Sequence, residues 1–192
     1  AAQMWLDRAQ HLFLESVNFT IETLDLLIHV VPNQWGPEPY VWNGVQEPHF
    51  LPEQDRLIES GLTRDDHRVH ILSTHSPFWG VPADQTGLVD PFHSPPQDFF
   101  EWGQELSRAH RPLRCVLGAH SHINTCVAAQ DAHFVSTSSF VEVPFDFKCF
   151  DIVDGYLSMT THSLADHMEG AAGYNYEKTF VQGRVCDRMF GR

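Results

Sequence analysis

Two short stretches constrain this chain more than any other feature: Val69-His70-Ile71-Leu72-Ser73-Thr74-His75-Ser76-Pro77 and Val116-Leu117-Gly118-Ala119-His120-Ser121-His122-Ile123-Asn124. Each is an apolar run of strand length that ends in a turn-forming segment carrying histidine. Val69 to Leu72 and Cys115 to Leu117 have the composition of strands buried on both faces, as in parallel sheets covered by helices. In such sheets ligands collect in the crevice beyond the carboxyl ends of the strands. Both histidine sets fall there, so the pattern predicts an α/β domain with its functional residues at the strand exits.

Imidazole is the commonest neutral metal ligand, and a His-x-His pair after a strand aims two rings at neighbouring positions. His75, His120 and His122 are therefore the candidate ligands. Neither stretch decides alone, because a chain with 13 histidines brings some together by chance. Taken in order, Thr74-His75-Ser76-Pro77 followed by Gly118-Ala119-His120-Ser121-His122 resembles the last two metal-binding motifs of the calcineurin-like metallophosphoesterases. One departure exists: the family's last motif reads Gly-His-x-His, and Ala119 holds the glycine's place. Altered loop packing is expected there, with no ligand lost.

The resemblance implies an α/β fold that is half of a four-layer α/β/β/α sandwich. Residues 1–164 would form the carboxyl-terminal half of the domain, and 165–192 a tail of unassigned structure. It implies His75 and His120 as ligands of one metal and His122 as a ligand of the other. The complete enzyme would hold two divalent or trivalent ions, manganese, iron or zinc, which activate a water for in-line attack on a phosphomonoester or phosphodiester. The family's first three motifs, Asp-x-His, Gly-Asp-x-x-Asp and Gly-Asn-His, do not occur here. No catalytic residue is assigned for that reason, and this chain alone is expected to be inactive, with the amino-terminal half supplied elsewhere, for example by a companion chain. The alternative is a non-catalytic metal-binding or regulatory subunit derived from the same fold.

Composition narrows the partners. The 12 Lys and Arg against 25 Asp and Glu give a net charge of -13, which opposes binding to a nucleic-acid backbone or an anionic membrane. A phosphate-ester substrate would need local positive charge of the kind metal ions supply. No apolar run approaches the roughly 18 residues of a membrane span, and a soluble, cytoplasmic protein is the expectation. Four cysteines show no Cys-x-x-Cys spacing; Cys115 and Cys149, in apolar strand-like runs, are expected to be buried free thiols. Asn18-Phe19-Thr20 is formally a glycosylation sequon.

Around the two motifs, Ala1 to Leu14 is too short a pattern to assign. Ser16 to Glu22 and Leu24 to Val31 predict two strands, and Pro32 to Pro52 a long loop rich in aromatics and breakers. Helices are predicted from Pro52 to Leu62 and from Asp98 to His110, the second capped by Asp98 and with its aromatic stripe in the core. Ser76 to Gln97 leaves the same strand end as His75, so it is the best candidate for a substrate-facing loop, with Trp79 and His93 as candidate substrate contacts. Four further runs, Thr125 to Ala128, His133 to Thr137, Phe145 to Val153 and Leu157 to Ser163, are expected to form a second sheet, with Asp154-Gly155 as a hairpin turn. Ala165 to Met168 begins a short helix, and the rest of the tail crosses to another subunit or onto the domain's own surface. Because only neutral imidazole binds metal, uptake is expected to fall as pH drops through about 6.5; metal content unchanged between pH 8 and pH 5 would argue against histidine ligation.

Overall fold

A computed structural model of the chain describes residues 18–34, 47–64, 67–110, 112–143, 145–170, 174–175, 177 and 179–191. The readings of Ala1 to Leu14 and of the aromatic loop around Trp35 to Trp42 fall outside these residues. The architecture is α/β, as the alternation of apolar runs and amphipathic segments predicts. A six-stranded sheet has the order β1-β2-β3-β4-β6-β5, and a three-stranded sheet the order β7-β8-β9.

The strands of the large sheet are β1 (Phe19–Glu22), β2 (Leu26–Val30), β3 (Val69–Ser73), β4 (Leu113–Gly118), β5 (Thr125–Ala129) and β6 (Ala132–Ser136). β2, β3, β4 and β6 run parallel, and β1 and β5 pair antiparallel at the two edges. The crossovers carry α1 (Pro52–Leu62), the one-turn α2 (Ala83–Thr86) and α3 (Gln97–Ala109). Because β2, β3 and β4 advance across the sheet in one direction, right-handed crossovers would put both long helices on one face. Ile58 and Leu62 of α1 and Phe99 and Leu106 of α3 indeed share one core cluster with Leu72, Val116 and Phe134 of the sheet. The aromatic stripe of α3 is core, as expected: Phe78 stacks on Phe99 with ring centroids 4.4 Å apart. Its cap is Pro96, with Asp98 accepting only from the adjacent Phe99 N–H, so the helix starts one residue earlier than the sequence suggested.

The other face is covered by β7 (Asp146–Val153), β8 (Tyr156–Ser163) and β9 (Met189–Gly191). Leu157, Met159, Phe150 and Phe190 pack there against Val69, Ile71, Cys115 and Val135. Asp154 and Gly155 close the β7–β8 hairpin, both with positive φ, as a two-residue hairpin turn requires. Two expectations are corrected. The runs that became β5 and β6 join the large sheet, because β6 pairs parallel to β4 and its hairpin partner follows it. Cys149 is exposed while Cys115 is buried, since alternation turns Cys149 to the outer face of an edge strand. All four cysteines are free thiols. In the described part of the tail, β9 extends the small sheet beyond β8 on the domain's own surface. No helix among the described residues is long and apolar enough to cross a membrane. The sequon's side chains are engaged internally: Asn18 accepts from Gln54 Nε2 at 2.9 Å, and Thr20 Oγ1 lies 3.2 Å from His29 Nδ1.

His29 and His70 face the helices from adjacent parallel strands, with His29 Nε2 3.3 Å from His70 Nδ1. His29 is only 2% exposed, and burial, then the neighbouring His70, lowers its pKa from 6.5 to about 4. The unfolded chain therefore binds a proton below pH 6.5 that the folded chain refuses. This contribution to stability is complete above pH 6.5 and is lost as pH falls towards 4, amounting to ~3 kcal/mol. Denaturant titrations at pH 7 and pH 4 are expected to show His29→Asn losing that much less stability on acidification than the wild type; equal losses would contradict the assignment.

Candidate functional site

The site is built at the exits of β3 and β4. In register, Ser73 stands beside Leu117, and the strands stay joined beyond their ends: Thr74 N–H donates to Leu117 O at 2.8 Å, and Ala119 N–H to His75 O at 2.8 Å. The two segments leave the sheet together, and the rings of His75 and His120 meet edge-on with centroids 5.6 Å apart. A Cβ on Gly118 would sit 2.9 Å from Pro77 Cα, so only glycine lets the exits pass this closely.

His120 and His122 both adopt left-handed backbone, at φ 54° and 55°. This conformation costs L-residues roughly 1–2 kcal/mol each and clusters at functional sites. The structure brings together His75, His120 and also His93, whose ring lies 5.7 Å from that of His120. His93 is delivered by a loop pinched shut by two hydrogen bonds between Val81 and Phe92, and it too has positive φ. Ser76, His93, Ser94, Pro95 and His120 line a small depression, and His75 stands beside it through its ring contact with His120. His122 is exposed at the edge of the mouth, with Nδ1 3.2 Å from Glu142 Oε1. Trp79 packs edge-on against Phe100 at 4.8 Å and also approaches Phe134.

Burial lowers the pKa of His75, with His122 as a lesser cause; burial lowers that of His120, followed by His75, His93 and His122. Both rings therefore stay neutral below the ordinary histidine value, the form that ligates metal. Two imidazoles sharing an ion at about 2.1 Å from nitrogen have centroids roughly 5–6 Å apart, so His75 and His120 have the spacing of a ligand pair. Among the described residues, no group of three or more His, Cys, Asp or Glu could hold a metal ion. The fit is thus of two ligands, short of a complete centre.

Sequence reasoning missed the residues that hold these loops. Asn33, buried beyond the exit of β2, accepts from Ser76 N–H at 2.6 Å and donates to Ser76 Oγ at 2.9 Å; the rule that flagged His75 applies equally to the end of β2. Asn124, fully buried two residues after His122, donates to Asp146 Oδ2 at 2.7 Å and to Ser138 Oγ at 3.1 Å. Asn124 O accepts from Gln85 Nε2, and Asn124 N–H donates to Val181 O. Asp146 in turn is paired with Arg188 at 2.7 Å, while Asp187 accepts from Cys126 N–H and from Arg184. Gly183, at φ 77°, is pressed against Asn124 O, which a Cβ would meet at 2.7 Å. The segment 179–191 is a clamp on the exit of the His120–His122 loop, a role no local pattern announces.

No family model and no curated protein sequence matches the chain. Among solved structures, it is similar to a dimetal phosphatase from Danio rerio, with 16% sequence identity and a TM-score of 0.49. The match covers 84% of this chain and 47% of that one, so the chain spans about half the length of the solved structure it matches.

Two substitutions separate the loop's strain from its anchoring. His122→Gly, which relaxes a left-handed residue with an exposed ring, is expected to leave the denaturation midpoint unchanged or raise stability by up to about 1 kcal/mol. Arg188→Ala, which strands the buried Asp146 carboxylate, is expected to cost ~3–5 kcal/mol. A large loss from the first or none from the second would contradict these roles.

Proposed function

We propose that this chain is the carboxyl-terminal half of a metal-dependent phosphoesterase whose dinuclear centre is completed by carboxylates outside the chain. The observation that carries the reading is the His75–His120 pair, two neutral imidazoles from adjacent parallel strand exits with the separation of ligands on one ion. His122 would serve the second ion. Its Nδ1 contact with Glu142 leaves Nε2 as the ligating atom and orients the ring, as outer carboxylates do for metal-bound histidines. When bound, a pair of such ions polarises the phosphoryl group and supplies a nucleophile near neutral pH.

The chain's own residues supply position. Parallel pairing fixes His75 against His120, Asn33 fixes the turn after His75, and Asn124 with Asp146 and Arg188 fixes the turn after His122. His93, exposed at the mouth, stands where it can donate to a phosphoryl oxygen. With net charge -13, retention of an anionic ester depends on cations held at this mouth. Manganese, iron and zinc all suit mixed nitrogen and oxygen ligands.

Elemental analysis of the purified protein, with intact mass recorded on the same sample, tests the proposal. Bound metal that is lost in His75→Ala and in His120→Ala, together with two ions wherever a carboxylate-bearing polypeptide accompanies the chain, is the expected result. Metal retained in both variants, or none under any condition, would sink it.

A further inference from the structure

We propose that the apolar cavity behind the His93–His120 mouth is a binding site for a flat, uncharged aromatic group, which on the phosphoester reading above is the alcohol portion of the substrate. The cavity encloses about 440 Å³ and is walled by Trp79, Pro82, Pro91, Pro95, Phe100 and Val127. That volume falls within the roughly 300–1,000 Å³ of ordinary small-molecule sites. No ionisable side chain lines it. Ser94 Oγ donates to Pro91 O and Gln97 Nε2 to Glu101 Oε1, and the Trp79 indole N–H is buried with no partner among the described residues. A charged group would lose its hydration there with no opposite charge to compensate it, whereas an indole, a phenyl ring and three pyrrolidine rings offer broad apolar contact to a flat ring.

The position of the cavity ties it to the histidines. Ser94 and Pro95 line both the cavity and the depression that holds His93 and His120. A molecule lying across those two residues has its apolar end against Trp79 and its acidic end at the imidazoles. The wall between them is firmly built. The Val81–Phe92 bridge closes the loop at its base, Gly80 packs so tightly that a Cβ would meet Ser94 Oγ at 2.7 Å, and Phe100 belongs to the first turn of α3. The site therefore exists before any ligand arrives, the condition under which apolar contact converts most fully into affinity.

Ligand-observed NMR titrations with 1-naphthol and 1-naphthyl phosphate, in zinc-containing buffer, test both parts. The expected result is that both bind, that the phosphate ester binds at least tenfold more tightly, and that the naphthyl protons show nuclear Overhauser contacts to the rings of Trp79 and Phe100. Ala83→Trp, which fills the cavity from α2, is expected to weaken both ligands at least tenfold. Absence of 1-naphthol binding, contacts to other rings, or affinities unchanged in a folded Ala83→Trp variant would overturn the aromatic site. Equal affinities for the two ligands, with the Trp79 and Phe100 contacts intact, would leave the aromatic site standing and remove the phosphoester reading.

Discussion

Everything at the candidate site depends on the parallel pairing of β3 with β4. A one-residue slip in that register would turn His70 and Leu72 to the wrong face and carry His75 and His120 out of step. The register is held from both sides: Leu72 and Val116 are buried beneath the helices, and Ile71 and Cys115 beneath the small sheet. Because a buried parallel strand has no tolerant face, hydrophobic burial specifies the juxtaposition of the two imidazoles to within the stiffness of the sheet. The hydrogen bonds from Thr74 to Leu117 and from Ala119 to His75 extend that order into the loops.

The loops themselves oppose it. Three histidines at the mouth, His93, His120 and His122, sit in left-handed backbone, and strain of this kind persists only where the surroundings over-determine it. Here the surroundings are polar and buried. Asn33 grips the turn after His75, and Asn124 is held between Asp146, Ser138, Gln85 and Val181. The Asp146–Arg188 pair and the hydrogen bond from Cys126 N–H to Asp187 bind the tail into this network, and Arg188 also lies 4.3 Å from the centroid of the Tyr174 ring. Buried ion pairs add little net stability but penalise every arrangement that separates them. A tail fastened this way serves conformation at the His-x-His loop.

What the sequence made legible follows from which interactions are local. β3, β4, α1 and the β7–β8 hairpin were readable because apolar runs, Pro52 and Asp154-Gly155 act within a few residues of themselves. The assignment of β5 and β6 to the large sheet was not readable, since it depends on which edge was free once β4 had formed. Asn33, Asn124, Asp146 and Arg188 are ordinary polar residues until folding brings each to its partners, Asn33 to Ser76 across 43 positions and Asp146 to Arg188 across 42, and nothing local marks them. His93 was legible as a residue of a loop leaving the right strand, though its approach to His120 depends on the Val81–Phe92 pinch. Cys149 was misread because an apolar run does not say which face of an edge strand is covered.

The central claim is that His75 and His120 act as a ligand pair for a single ion. Titration of the protein with manganese, followed by paramagnetic broadening of its histidine ring signals, tests it most directly. The account predicts that the His75 and His120 signals broaden together with one midpoint, while those of the buried His29 and His70, away from the mouth, keep their widths until much higher concentration. Broadening of only one of the pair, or uniform broadening of all histidines, would contradict it.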